Sequence, residues 1–253
     1  MQGVIAKKIG MSRVFLPNGD AVAVTYLKIE PNTVVRQKTA QKDGYNAVVL
    51  GIGAKSWKSR KGKQNVRYLK QKEWKVEALD ALTPGSTLDA KVLPAETVVT
   101  ITGTSKGKGF QGVIKRHKFK SGPSGHGSHH HREPGSVGMR EWPGRVNKGK
   151  RMPGRMGTDT VTVCSRSVLS CDPAEGMVAV KGPVPGSNGS IVFLTVEQWP
   201  EGFDIASVLA AKVQEVKNEK KETSEKVAKE EKEKKETGEA SSPSPESPIP
   251  NPA

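Results

Sequence analysis

Cysteine is almost missing from this chain: Cys164 and Cys171 are the only two in 253 residues. Two thiols cannot build a disulfide framework, and without a second pair they cannot complete a structural zinc site, so both read as buried or spectator thiols. Aromatics are scarce, at 5%, and hydrophobic residues reach only 34%. No window approaches the roughly 18 consecutive apolar residues of a spanning helix, and no basic amphipathic helix stands out, which argues against a membrane partner. The opening Met1-Gln2-Gly3-Val4-Ile5-Ala6 runs straight into strand-like sequence without the apolar core of a secretory signal or an Arg- and Ser-rich transit segment, so the expected compartment is the cytoplasm. Acidic residues are also in deficit, 26 against 41 Lys and Arg, leaving a net +15. Like charge at this density opposes compaction, whereas a phosphate backbone removes the repulsion and releases counterions as it binds. Nucleic acid is therefore the expected partner.

The charge is unevenly placed, and its unevenness maps the chain. Val4 to Ala6, Arg13 to Leu16, Ala21 to Lys28, Thr33 to Arg36 and Ala47 to Leu50 are rich in Val, Ile, Thr and Tyr. Turn residues such as Pro17-Asn18-Gly19-Asp20 separate them, the pattern of antiparallel strands. The same texture returns at Thr97 to Gly103, Val161 to Ser165, Met177 to Val180 and Ile191 to Val196. This predicts a mainly β fold: a discontinuous barrel from residues 1–104 and 158–203, with 105–157 inserted between its halves. The insertion carries 13 Lys and Arg, 2 acids, 12 Gly and all five His in 53 residues. With ten apolar residues scattered through it, ordering so many glycines in water goes uncompensated, so an external partner must supply the contacts. Residues 55–72 form a second basic tract, with eight Lys and Arg, no acid, and Trp57 and Tyr68 interleaved. Residues 204–253 read as a flexible charged and Pro/Ser-rich tail. From Lys212 onward it holds 9 Lys and 10 Glu, so residues 1–211 carry 32 basic against 16 acidic side chains.

Three motifs suggest other chemistries and fail on context. Gly107-Lys108-Gly109-Phe110-Gln111-Gly112 matches a dinucleotide fingerprint, but the following Val113 to Lys120 is too basic and too short for the helix that must receive a pyrophosphate. Gly144 to Lys150 has most of the spacing of a phosphate-binding loop, but Arg151 stands where a Ser or Thr hydroxyl must hold magnesium. His126, His129, His130 and His131 are dense, yet no Cys or carboxylate cluster accompanies them to complete a zinc ligand set. No Ser/His/Asp or Cys/His arrangement suggests nucleophilic catalysis either. The expectation is a protein without catalytic residues, metal, cofactor or small-molecule substrate, whose loop threads RNA. Glycines let backbone approach phosphates, Arg forks grip them, and Trp142 stacks or wedges at a turn fixed by Pro143.

The residues that carry this pattern have a familiar order. GVIAKKIGMSRVF at the start and TGTSKGKGFQGVIKR from Thr102 to Arg116 closely resemble bacterial members of the large-subunit ribosomal protein L-three family. So do His126-Gly127-Ser128, His131-Arg132, Pro134 to Gly138, Pro143 to Val146, Lys148 to Gly157 and Lys181 to Gly186. The resemblance covers residues 1 to about 197, in order. It implies a translation-factor-like barrel on large-subunit ribosomal RNA, an early role in subunit assembly, and contact with the fourteenth and nineteenth large-subunit proteins. It also implies a loop reaching toward the peptidyl-transferase region, with Arg140, Trp142 and Arg145 near its tip. Relatives often carry a methylated Gln where this chain has Glu141, and a carboxylate cannot bear that amide modification, so it is not carried over.

The RNA-contacting set expected from charge and resemblance together begins with Lys7 and Lys8, then Lys58, Arg60 and Lys61 in the first basic tract. Lys106, Lys108, Lys115, Arg116, Lys118 and Lys120 lead into the loop. His126, His131 and Arg132 follow, then the three tip residues. Lys148, Lys150, Arg151 and Arg155 lead out.

Overall fold

The computed structural model describes residues 3–76 and 82–202. The chain opens with β1 (Gly3–Phe15) and β2 (Ala21–Lys28). Between them the expected turn forms: Leu16 N–H donates to Asp20 O and Gly19 N–H to Leu16 O, both at 2.9 Å. Then come β3 (Asn32–Lys38), the single-turn helix α1 (Ala40–Asp43), β4 (Ala47–Lys58), β5 (Gln64–Lys75), β6 (Thr87–Leu88) and β7 (Val98–Thr104). Two-residue β8 (Phe110–Gln111), five-residue α2 (Val113–His117) and two-residue β9 (Gly154–Arg155) belong to the loop. β10 (Thr160–Asp172), β11 (Met177–Lys181) and β12 (Ile191–Gln198) complete the order. The protein is mainly β, as its sequence predicts. No helix among the described residues is long and apolar enough to cross a membrane.

Six strands close on themselves in the order β1-β12-β7-β10-β11-β2. Every neighbouring pair is antiparallel, and closure follows because β1 pairs with β12 on one side (Val4↔Leu194) and β2 on the other (Arg13↔Ala23). Alternation along the strands turns Ile5, Leu27, Val99, Ile101 and Leu194 into fully buried positions. A shift of register between Lys8 and Gly10 lets β1 continue for 13 residues. The sequence reads this strand as two runs, because Lys7 and Lys8 interrupt its apolar residues.

Strands β3 to β6 do not enter the barrel. They make a second sheet in the order β5-β4-β3-β6. The reason lies in β4, whose first six residues, Ala47 to Ile52, are all buried. A run without polar alternation needs cover on both faces, which one barrel wall cannot supply. The sheet is fastened to the barrel by two buried side chains. Asn32 acts as an extra strand residue: its Nδ2 donates to Ile5 O at 3.1 Å and its Oδ1 accepts from Ile5 N–H at 3.2 Å. Trp74 meets Phe193 edge-on, ring centroids 6.3 Å apart, and lies where any side chain on Gly3 would have to go. The tail expected from 204 lies outside the described residues.

Candidate nucleic-acid interface

The insertion leaves the barrel between β7 and β10, which pair directly, Thr104 opposite Thr160. Its two limbs then stay zipped together. Ser105 N–H donates to Asp159 O, Lys108 N–H to Met156 O, and Met156 N–H to Gly109 O, at 2.9 to 3.0 Å. β8 pairs with β9, Phe110 opposite Arg155 and Gln111 opposite Gly154. On the last turn of this stem, α2 buries Val113 and directs Arg116 Nη1 to Met152 O at 2.8 Å, with His117 Nε2 3.0 Å from the same oxygen. The stem also depends on Gly157, which sits at φ +82° with Lys106 O and Gly107 against the place a side chain would take. A β-carbon there meets both left-handed strain and backbone.

Beyond the stem the order is local. Gly122 N–H donates to His130 O at 2.9 Å, and Lys150 N–H to Asn147 O at 3.3 Å. Between residues 120 and 153 every residue is exposed except half-covered Gly122 and Ser128. Trp142, 84% exposed, Met139 and Val137 project into solvent together with Arg140, Arg145 and Arg151. An isolated domain gains nothing from holding an indole and three guanidinium groups in water; a polyanion with stacking faces uses all of them. The loop's one side-chain contact with an acid is a hydrogen bond between His130 Nδ1 and Glu133 Oε2 at 3.0 Å, and none of its Lys or Arg side chains is paired with a carboxylate there.

The first basic tract takes a form its composition hides. Residues 55–72 are the outer part of a long β4–β5 hairpin, paired without a break from Ala54↔Tyr68 to Lys58↔Gln64 and turned by Ser59 and Lys63. Lys58, Arg60 and Lys61 stand exposed at its end, beside Trp57 (49% exposed). Lys/Arg on both faces erase the period-two apolar signal, so the sequence gives no strand here.

Most of the expected contacts thus lie on two exposed arms. Lys106, Lys108, Lys115, Lys118 and Lys120 line the stem and its exit. His126, His131 and Arg132 stand in the distal loop, and Lys148, Lys150 and Arg155 on the return limb, all exposed. Lys7 is half-buried in β1. Arg116 is half-buried too, one arm of its guanidinium committed to the stem.

Lys8 is a correction. It is 5% exposed and its Nζ donates to Val184 O at 2.7 Å and Gly186 O at 3.2 Å, so its charge is spent inside the protein and cannot reach RNA. Burial first, then the nearby Lys106, push its pKa below the ordinary lysine value. The signal was available: Lys8 follows Val4 and Ala6 at spacing two, on the same face of β1. Phe110, 73% exposed on the stem, is passed over by a reading that follows cations alone. Among the described residues no group of three or more His, Cys, Asp and Glu could hold a metal ion.

The described residues form a mainly β body from which two cationic arms extend. The family model described as Ribosomal protein L3 matches residues 70–176. Large ribosomal subunit protein uL3 of Geotalea daltonii is 41% identical over 202 residues, covering 76% of this chain and 95% of that protein. The protein of the same name from Thermotoga maritima is 42% identical over 210 residues, 79% of this chain and 100% of its own length. That of Heliobacterium modesticaldum is 43% identical over 203 residues, 76% and 95%. The chain belongs to the ribosomal protein L3 family, a family of structural proteins and not of enzymes.

Proposed function

We propose that this protein is a structural constituent of the large ribosomal subunit in the cytoplasm, and that it binds large-subunit ribosomal RNA through the loop 105–157 and the β4–β5 hairpin. The barrel, translation-factor-like in this reading, sits on the RNA surface and fixes the root of the loop. The distal loop, with Arg140, Trp142 and Arg145 foremost, extends toward the peptidyl-transferase region. No bond is made or broken: cations screen phosphates that otherwise repel, so distant RNA helices can pack early in subunit assembly. The fourteenth and nineteenth large-subunit proteins are its expected neighbours. One observation carries the reading, the nearly unbroken exposure of residues 120–153 with their cations unneutralised. A surface that gains this little internally is built for a partner.

The test is sedimentation of a cell extract through sucrose at high salt, which strips loosely held cationic proteins from RNA. The chain is expected to travel with the large subunit. Finding it at the top of the gradient, free of RNA, would overturn the proposal.

A further inference from the structure

Phe110 occupies an odd position for a large apolar ring. It stands on the stem 73% exposed, while the next aromatics along the loop, His117 and Phe119, pack on each other with ring centroids 6.1 Å apart. Beside the Phe110 ring opens a recess of about 380 Å³, lined by Gly107, Gly109, Phe110, Arg155, Met156 and Thr158. Two of its six lining residues are glycines. Gly109, at φ +67°, has nothing within 4 Å of where a side chain would sit, so the space over it is open. Met156 contributes a polarizable thioether, and Arg155, the cross-strand partner of Phe110, contributes a planar guanidinium. Lys106 and Lys108 are exposed on the adjoining limb, and no carboxylate lines the recess.

A protein partner is poorly matched to a single ring rimmed by cations, because docked protein surfaces need a wider apolar core. An unpaired base matches each element. It offers a π face to the ring and a phosphate on either side to the cations, and RNA recognition relies on such splayed bases stacked on aromatic side chains. We propose that this recess receives one unpaired nucleobase of the bound RNA, stacked on Phe110, with Arg155 and Lys108 holding its flanking phosphates. The proposal rests on the RNA-binding reading above. It makes the stem, and not only the distal loop, a place where RNA is gripped.

The test uses the full-length chain and protein-free large-subunit ribosomal RNA, titrated at several salt concentrations. Phe110→Ala is expected to weaken binding about tenfold at every salt concentration, the loss of one base–aromatic stack. Its salt slope should stay unchanged, since no charge is removed, while Arg155→Ala lowers the slope by about one. Phe110→Tyr keeps the π face and should bind like the parent. Phe110→Leu keeps bulk without it and should behave like the Ala variant, which a merely packed Phe110 would not do. Ultraviolet crosslinking should place a single-nucleotide adduct on the peptide holding Phe110. If the Ala or Leu variant binds like the parent, or the adduct falls elsewhere, while the parent's salt-dependent binding persists, the recess proposal is overturned and the RNA reading stands. If the parent itself shows no salt-dependent binding to this RNA, both readings fall.

Discussion

The chain uses lysine in two opposite ways, and single substitutions separate them. Lys8 satisfies the carbonyls of Val184 and Gly186 from within the fold, whereas Lys106 stands in solvent. Lys8→Met leaves two buried acceptors without a donor and should cost about 1–3 kcal/mol of stability in a urea titration, with the salt slope of RNA binding unchanged. Lys106→Ala should do the reverse: no measurable loss of stability, and a slope smaller by about one. Because the folded protein holds the Lys8 pKa below its unfolded value, the unfolded chain binds more protons between those two values. The contribution of this group to stability therefore rises with pH across that alkaline window. Glu73 works on the acid side. Lys38 first and Tyr45 second, both hydrogen-bonded to its carboxylate or to each other at 2.6 to 2.7 Å, hold its pKa below the usual carboxylate range. Its stabilising effect is present above the unfolded pKa and is lost as pH falls through the folded one. The melting curves of the parent and Lys38→Met should accordingly converge in acid.

At the scale of elements, the loop divides at residue 118 into a zipped stem and an open end. Hydrogen exchange on the free protein should find Lys108, Arg116 and Met156 amides protected by their stem carbonyls, and amides of 131–146 exchanging at nearly unfolded rates. Gly157→Ala should erase the stem protection while leaving that of Ile101 and Leu194 in the barrel intact, because the nearest atoms it meets belong to Lys106 and Gly107 of the stem. How far such elements could be read beforehand depended on whether burial was one-sided. β2 was legible to the residue, since Ala21 to Lys28 combines β-branched residues with a turn on its N-terminal side. β4 and β5 were legible only at Ala47 to Leu50. The hairpin beyond is stabilised by backbone pairing and cross-strand neighbours, which leave no hydrophobic period in the sequence. The site was legible as charge and illegible as direction: composition marks Lys8 and Lys108 alike, and only the barrel's register turns one inward and leaves the other out.

For the molecule as a whole, the decisive fact is that the insertion starts and ends on paired neighbours, Thr104 and Thr160. Replacing 105–159 by a two-residue Asn-Gly turn, the kind that joins adjacent antiparallel strands, should leave a folded barrel with its cooperative melting transition and remove most of the RNA affinity. Loss of the folded barrel in that variant would show that the loop contributes to folding as well as to binding.

The seam between β1 and β12 sets a timetable for synthesis. Gly3 cannot meet Thr195 until nearly the entire described chain has been made. At roughly 5–20 residues per second, the first strand waits on the order of ten to forty seconds for its partner. Throughout that interval the apolar side of β1 is held back from its final neighbour, while the cationic arms, encoded between the two strands, are both made before that neighbour. A newborn chain is therefore able to touch RNA before its own barrel is shut.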